Sequence, residues 1–168
     1  SGVFQQDDIF LGHNRLTILD TNSGQQPMIF NYLSKKYIFI YNGETYNYLK
    51  LRNTLISMGI SFDSTTDSEV VFKWLVVKGI KEGIKSLNGI FSFCLYNQTD
   101  NVLYLARDRF GIKPLYYSQK HQGIYFSSEL KSLTLFNDIP KRLNTEVLSQ
   151  YFCFGYPIVP NTFFEDIY

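Results

Sequence analysis

The stretch Lys36-Tyr37-Ile38-Phe39-Ile40-Tyr41-Asn42-Gly43-Glu44-Thr45-Tyr46-Asn47-Tyr48 is the key to the fold. Its first six residues are mostly aromatic or β-branched and suit a strand. Asn-Gly is the strongest short turn signal, so the strand is expected to end at Asn42-Gly43. A helix is expected next. Tyr48, Leu51, Leu55 and Met58 fall on one helical face, and Gly59 closes it.

Working outward, strands and helices alternate. Thr66-Asp67-Ser68-Glu69 reads as a capping box, followed by an apolar stripe of Val70, Val71, Trp74 and Leu75. Ile80, Ile84 and Leu87 suggest a further short helix. Residues 90–96 and 102–106 read as buried strands joined by a polar turn over 97–101. A strand at 124–127 and a short helix at 129–135 follow. Asn144 caps a last helix through Val147, Leu148, Tyr151 and Phe152, which stops at Gly155 with Pro157 beyond. Upstream, 9–11 is a short strand candidate. Adjacent hairpin strands argue against a doubly wound parallel sheet. No repeat, low-complexity tract or linker interrupts the 168 residues, which suit one domain.

Composition narrows the function. Lys plus Arg number 16 and Asp plus Glu 15, so the net charge of +1 gives no basic excess to attract nucleic acid or an acidic membrane. Apolar residues make up 45%, enough for a core. Charged residues are 18%, below the roughly 25% usual for a soluble domain, and aromatics reach 17%. Such a chain suits a β-rich domain that packs against something else. Cys94 and Cys153 are too few for a disulfide framework, and both read as small buried hydrophobes. With no signal peptide visible, the expected compartment is the cytoplasm. Residues 147–164 carry no charge, but Pro157, Pro160 and several polar groups exclude a spanning helix.

Several familiar sites are absent: no G-x-G-x-x-G, no G-x-x-x-x-G-K-[ST], no G-x-S-x-G and no cysteine pair at zinc spacing. Asn97-Gln98-Thr99 matches a glycosylation sequon by chance. Four stretches combine polar groups with tight backbone: 11–20, 41–48, 66–70 and 106–117. Each also has a purely structural explanation. Asn42-Gly43 could be a turn, and Asp67 could serve only the helix dipole. Arg15 could be a surface cation beside Asp20, and 107–109 a solvated turn with local ion pairs.

Together, Leu11-Gly12-His13-Asn14-Arg15-Leu16, Tyr41-Asn42-Gly43-Glu44, Thr66-Asp67-Ser68-Glu69 and Ala106-Arg107-Asp108-Arg109-Phe110-Gly111-Ile112-Lys113-Pro114-Leu115 resemble one family. They are similar to the glutaminase domain of glutamine-hydrolysing asparagine synthetases, a class II amidotransferase. Gly24-Gln25-Gln26-Pro27-Met28 and Ser128-Glu129-Leu130-Lys131 fit as well, so the resemblance covers 1–168, essentially the whole chain. It implies an α+β fold, a four-layer αββα sandwich of the N-terminal-nucleophile hydrolase type. It further implies that Arg15 holds the α-carboxylate of L-glutamine through its guanidinium fork. The backbone of Leu16, Thr17, Ile18 and Leu19 lines the same pocket, and Asp67, helped by Glu44, takes the α-ammonium. The Asn42 side chain and the Gly43 backbone N–H form the oxyanion hole, with glycine allowing close approach to substrate.

In the family the nucleophile is an N-terminal cysteine, whose own amine assists. Ser1-Gly2-Val3 fits better as the residues just after the family's Arg-Gly-Pro-Asp motif. The expectation is therefore a domain incomplete at its N-terminus, inactive and poorly stable alone, with the synthetase domain of the same parent chain as its partner. No cofactor is expected in this domain, no metal, no nucleic acid and no membrane; ATP and Mg belong to the synthetase domain. Oligomeric state is not readable from the residues. Two other readings stay open: a catalytically dead structural module, and an amidotransferase with another acceptor in peptide or glycan biosynthesis.

Overall fold

A computed structural model describes residues 1–14 and 24–168. They form two compact units, Ser1–Lys113 and Pro114–Tyr168.

The first unit opens with β1 (Gly2–Gln6) and β2 (Ile9–His13), an antiparallel pair. Its main sheet is antiparallel in the order β3 (Met28–Tyr32), β4 (Lys35–Thr45), β5 (Gly89–Asn97), β6 (Val102–Arg107). Between β4 and β5 run the helices α1 (Tyr48–Ser57), α2 (Asp67–Lys78) and α3 (Ile80–Lys85). Asn42-Gly43 does not end the strand. β4 continues to Thr45, with Asn42 opposite Ser92 and Gly43 opposite Phe91. The pairing with β5 runs to Gly89 and overrides the local turn preference of the dipeptide.

The core lies between the sheet and the helices. Phe39, Tyr41, Phe91 and Phe93 pack with Leu51 and Leu55 of α1 and with Val70, Val71, Phe72, Trp74 and Leu75 of α2. Phe39 stacks on Phe72 at 4.9 Å between centroids. Burying each such side chain contributes roughly 1.5–3 kcal/mol. Met58 lies past the end of α1 and is 46% exposed, not part of the apolar face expected for it. β5 is buried on both faces from Phe91 to Asn97. Asn97 donates through its amide to Asp100 at 2.8 Å, which makes it a buried turn residue and no sequon acceptor.

Only half of the expected capping box forms. Thr66 Oγ1 accepts from the Glu69 N–H at 3.4 Å. The Glu69 carboxylate does not return to Thr66; it accepts from the Asp63 and Ser64 N–H groups and from Lys73 Nζ at 2.6 Å. Glu69 thus fastens the loop before α2 as well as the helix itself.

The second unit contains the hairpin β7 (Tyr116–Lys120) and β8 (Gly123–Ser127), then α4 (Leu130–Leu133) and α5 (Thr145–Phe154). Leu133, Ile139 and Ile167 form its small core. Tyr168 exchanges both main-chain hydrogen bonds with Tyr117, each at 2.9 Å. As expected, Asn144 caps α5 by accepting from the Val147 N–H, and Gly155 ends it at φ +80. Among α5 residues only Val147 is buried. Cys153 on α5 is exposed, which corrects its reading as a buried hydrophobe, whereas Cys94 is buried as expected. No helix among the described residues is long and apolar enough to cross a membrane.

Candidate active site

The site follows from the two-residue repeat of β4. Along a strand, the N–H and C=O of alternate residues face the same edge. On the β3 side, Phe39 pairs with Met28, where β3 begins. Tyr41 comes next on that edge. Its N–H donates to Gln26 Oε1 at 2.6 Å, and its C=O lies 3.2 Å from His13 Nε2. Thr45 faces the same way, and its N–H donates to Asp67 Oδ2 at 2.8 Å. Gly43 sits between them, so its N–H points to an edge that β3 does not reach. A backbone donor there is placed to meet an anion.

Asn42 and Glu44 flank Gly43 and share the opposite periodicity. Asn42 and Gly43 are half-buried and Glu44 is exposed. Gly43 is required by its neighbour strand: a Cβ there would stand 2.3 Å from the Ile90 carbonyl oxygen and 2.7 Å from Phe91 Cα. The expected reason, close approach of substrate, is therefore joined by a steric demand from β5.

Asp67 occupies the first position of α2 and is carried to the end of β4 by the Thr45 bond. Burial pushes its carboxyl above the usual range, against the pull of the Thr45 and Ser68 N–H groups, and the Glu44 charge adds to the rise. Two carboxylates so close attract a cation. Tyr41 is buried, and its hydroxyl shares a 2.8 Å hydrogen bond with Thr45 Oγ1. Burial and the Asp67 charge push its phenol well above the usual range, so it stays neutral.

The structure thus sets Asn42, Gly43 and Glu44 along the end of β4 and brings Asp67 of α2 to them through Thr45. Arg15, Leu16, Thr17, Ile18 and Leu19 lie outside the described residues. Cys94 is buried beneath the sheet face, and burial alone pushes its thiol far up, which makes it no nucleophile.

The stretch 106–117 does something else. Asp108 is no member of a solvated ion-pair turn. It is 8% exposed and accepts from the N–H groups of Phe91, Phe110, Ile112 and Lys113 at 3.0–3.2 Å. Burial opposes its charge, but the N–H groups of Lys113, Ile112, Phe110 and Phe91 hold the carboxyl below the usual range. The Arg107 guanidinium binds the carbonyls of Gly111 and Lys113. A cleft of about 320 Å³ lies beside this loop, lined by Lys85, Asn88, Gly89, Phe91, Arg107 and Arg109, and none of the site residues on β4 lines it.

The chain matches the glutamine amidotransferase domain family over residues 1–168. It belongs to that family. It is 41% identical over 163 residues to asparagine synthetase [glutamine-hydrolyzing] 1 of Bacillus subtilis (strain 168), covering 96% of this chain and 25% of that protein. It is 36% identical over 134 residues to asparagine synthetase B [glutamine-hydrolyzing] of Escherichia coli (strain K12), covering 79% of this chain and 24% of the relative. The amidotransferase domain thus spans about a quarter of the length of the curated relatives it matches. Among solved structures it is similar to the glutamine phosphoribosylpyrophosphate amidotransferase of B. subtilis, with a TM-score of 0.57 at 22% identity, over 65% of this chain and 25% of that one. That likeness shows the fold alone: an α+β sandwich.

Proposed function

We propose that this domain hydrolyses L-glutamine within an asparagine synthetase, supplying ammonia for the ATP-dependent conversion of aspartate to asparagine. One observation carries the reading: along a single edge of β4, the Gly43 N–H lies beyond the end of β3 while Asp67 is tied to Thr45 one step further on. Oxyanion donor and carboxylate are spaced along one rigid element. The 41% identity to a glutamine-hydrolysing asparagine synthetase supports aspartate as the acceptor.

In this reading Arg15 and the backbone of Leu16 to Leu19 take the α-carboxylate of glutamine, and Asp67 with Glu44 takes the α-ammonium. A cysteine thiolate from outside the 168 residues attacks the side-chain amide carbon. The carbonyl oxygen becomes an anion and is met by the Asn42 amide and the Gly43 N–H. The cysteine's own ammonium gives its proton to the amide nitrogen, collapse expels ammonia and leaves a thioester, and water then releases glutamate and the thiol. This domain needs no cofactor for those steps. ATP and Mg serve a synthetase domain of the same protein, and the reaction is placed in the cytoplasm.

Replacing Asn42 by Ala in the whole protein is expected to cut glutamine hydrolysis by ~10² to 10³ while KM for glutamine changes little. Asparagine formation from added ammonia should persist. An unchanged hydrolysis rate would remove Asn42 from the oxyanion hole.

A further inference from the structure

We infer that His13 and Gln26 are positioning residues for the oxyanion donors: their side chains replace the missing strand at Tyr41 and so hold the edge of β4 that β3 no longer covers. The inference rests on the glutaminase reading of Asn42 and Gly43.

The argument starts from register. β3 and β4 pair with Met28 opposite Phe39 and Ile29 opposite Ile38. Continuing two residues, Gln26 would face Tyr41 main chain to main chain. It does not, because β3 begins only at Met28. The Gln26 carbonyl turns instead toward β1, where it would lie 2.1 Å from a Cβ placed on Gly2. The Gln26 side chain takes over, and its Oε1 receives the Tyr41 N–H at 2.6 Å.

His13 completes the exchange from the other side. It is the last residue of β2 and pairs with Gly2. Its Nε2 lies 3.2 Å from the Tyr41 carbonyl oxygen, and with a carbonyl as partner Nε2 carries the proton. An acceptor and a donor thus reproduce the two bonds a paired residue would make.

The position gives this consequence. The Tyr41 carbonyl belongs to the peptide that ends in the Asn42 N–H, and Gly43 is the next residue on the same edge. Tyr41 is 4% exposed and Gln26 7% exposed. With its hydroxyl bonded to Thr45, Tyr41 has its N–H, C=O and O–H all engaged. An oxyanion hole works by preorganisation, and small misplacements of its donors are costly. β5 holds Asn42 and Gly43 from one side only; without substitute partners at Tyr41, the other edge of β4 would be unsupported just before the two residues that matter.

The test uses the whole protein and two pairs of variants. Gln26→Met and His13→Phe remove the acceptor and the donor; Gln26→Glu and His13→Gln restore an oxygen and an N–H of similar reach. The removal variants should lower kcat for glutamine hydrolysis by about 10-fold or more with KM nearly unchanged. The restoring variants should regain most of that loss. Amide exchange at Tyr41 should accelerate in Gln26→Met and stay slow in Gln26→Glu. Parent-like kcat in both removal variants overturns the inference, as does a loss that the restoring variants do not repair, or unchanged exchange at Tyr41. Asn42→Ala run alongside separates the two claims. If it alone leaves hydrolysis intact, the oxyanion assignment fails. If it cuts hydrolysis as expected while the His13 and Gln26 removal variants keep the parent's kcat, only the positioning role fails.

Discussion

Two aspartates show how one residue type serves opposite ends. Asp67 is held above the ordinary carboxyl range by burial, and Asp108 below it by four backbone N–H groups. For Asp67 the raised folded pKa means that the folded chain binds the extra proton in the window above the unfolded value. Stability therefore falls as pH rises through that window. Replacing Asp67 by Asn keeps an acceptor for Thr45 and removes the buried charge. The variant should melt higher at neutral pH, while KM for glutamine rises roughly 10- to 100-fold from loss of the proposed ammonium partner. Glutamine affinity of the parent should fall with acidification, starting above the usual aspartate range. A melting point lower than the parent's would contradict the burial argument. For Asp108 the sign reverses. Its stabilisation is fully present above the unfolded pKa and is lost as pH falls through the folded one. Asp108→Ala strands four donors and should cost about 3 kcal/mol or more, measured by urea unfolding at neutral pH, with the gap from parent narrowing in acid. In the sequence Asp108 looked like a surface charge between two arginines. Its role depends on the chain folding back over 110–113 to aim three of those N–H groups at it, and no local pattern announces that.

At the level of elements, β4 is the ruler of the site. Its long pairing with β5 was half visible, because the aromatic run 36–41 signals a strand. Its last third was not, because Asn-Gly predicts a turn when read locally and becomes a strand only when β5 supplies a partner. β1, β3 and β7 escaped the reading for a related reason. Each is five residues long and carries polar residues, so it is a strand by virtue of its neighbours. Helix ends were more legible, since Thr66, Asn144 and Gly155 act through bonds within a few residues. The fit of β4 against β5 also sets a limit on change. Gly43→Ala should force the strands apart at Ile90 and Phe91, costing roughly 1–3 kcal/mol in chemical denaturation. Glutamine hydrolysis should fall further than that loss explains, because in the proposed mechanism the shifted backbone carries the oxyanion donor. A variant as stable and as active as its parent would show that β5 yields easily.

Over the whole molecule, family motifs were legible and their mechanical support was not. Asn42, Gly43, Glu44 and Asp67 were named from their wording, and the structure sets the first three along β4 with Asp67 of α2 tied to its end. His13 and Gln26 lie inside the same worded stretches, yet their bonds to Tyr41 depend on where β3 starts, which only three-dimensional pairing defines. The division into two units at Lys113 was also invisible, since the motif 106–117 runs across it without a change of composition.

The two cysteines fall one in each unit, and they differ in access. Cys153 stands open on α5, and Cys94 lies within β5, 1% exposed, at the centre of the main sheet. A thiol-reactive dye should therefore tag the chain in two phases. The first is immediate and reports only that α5 meets solvent. The second waits for β5 to separate from β4 and β6, so its rate, followed by intact mass against denaturant concentration, becomes a clock for opening of the sheet that carries the site. If both thiols react together in native buffer, the sheet opens far more readily than its burial implies.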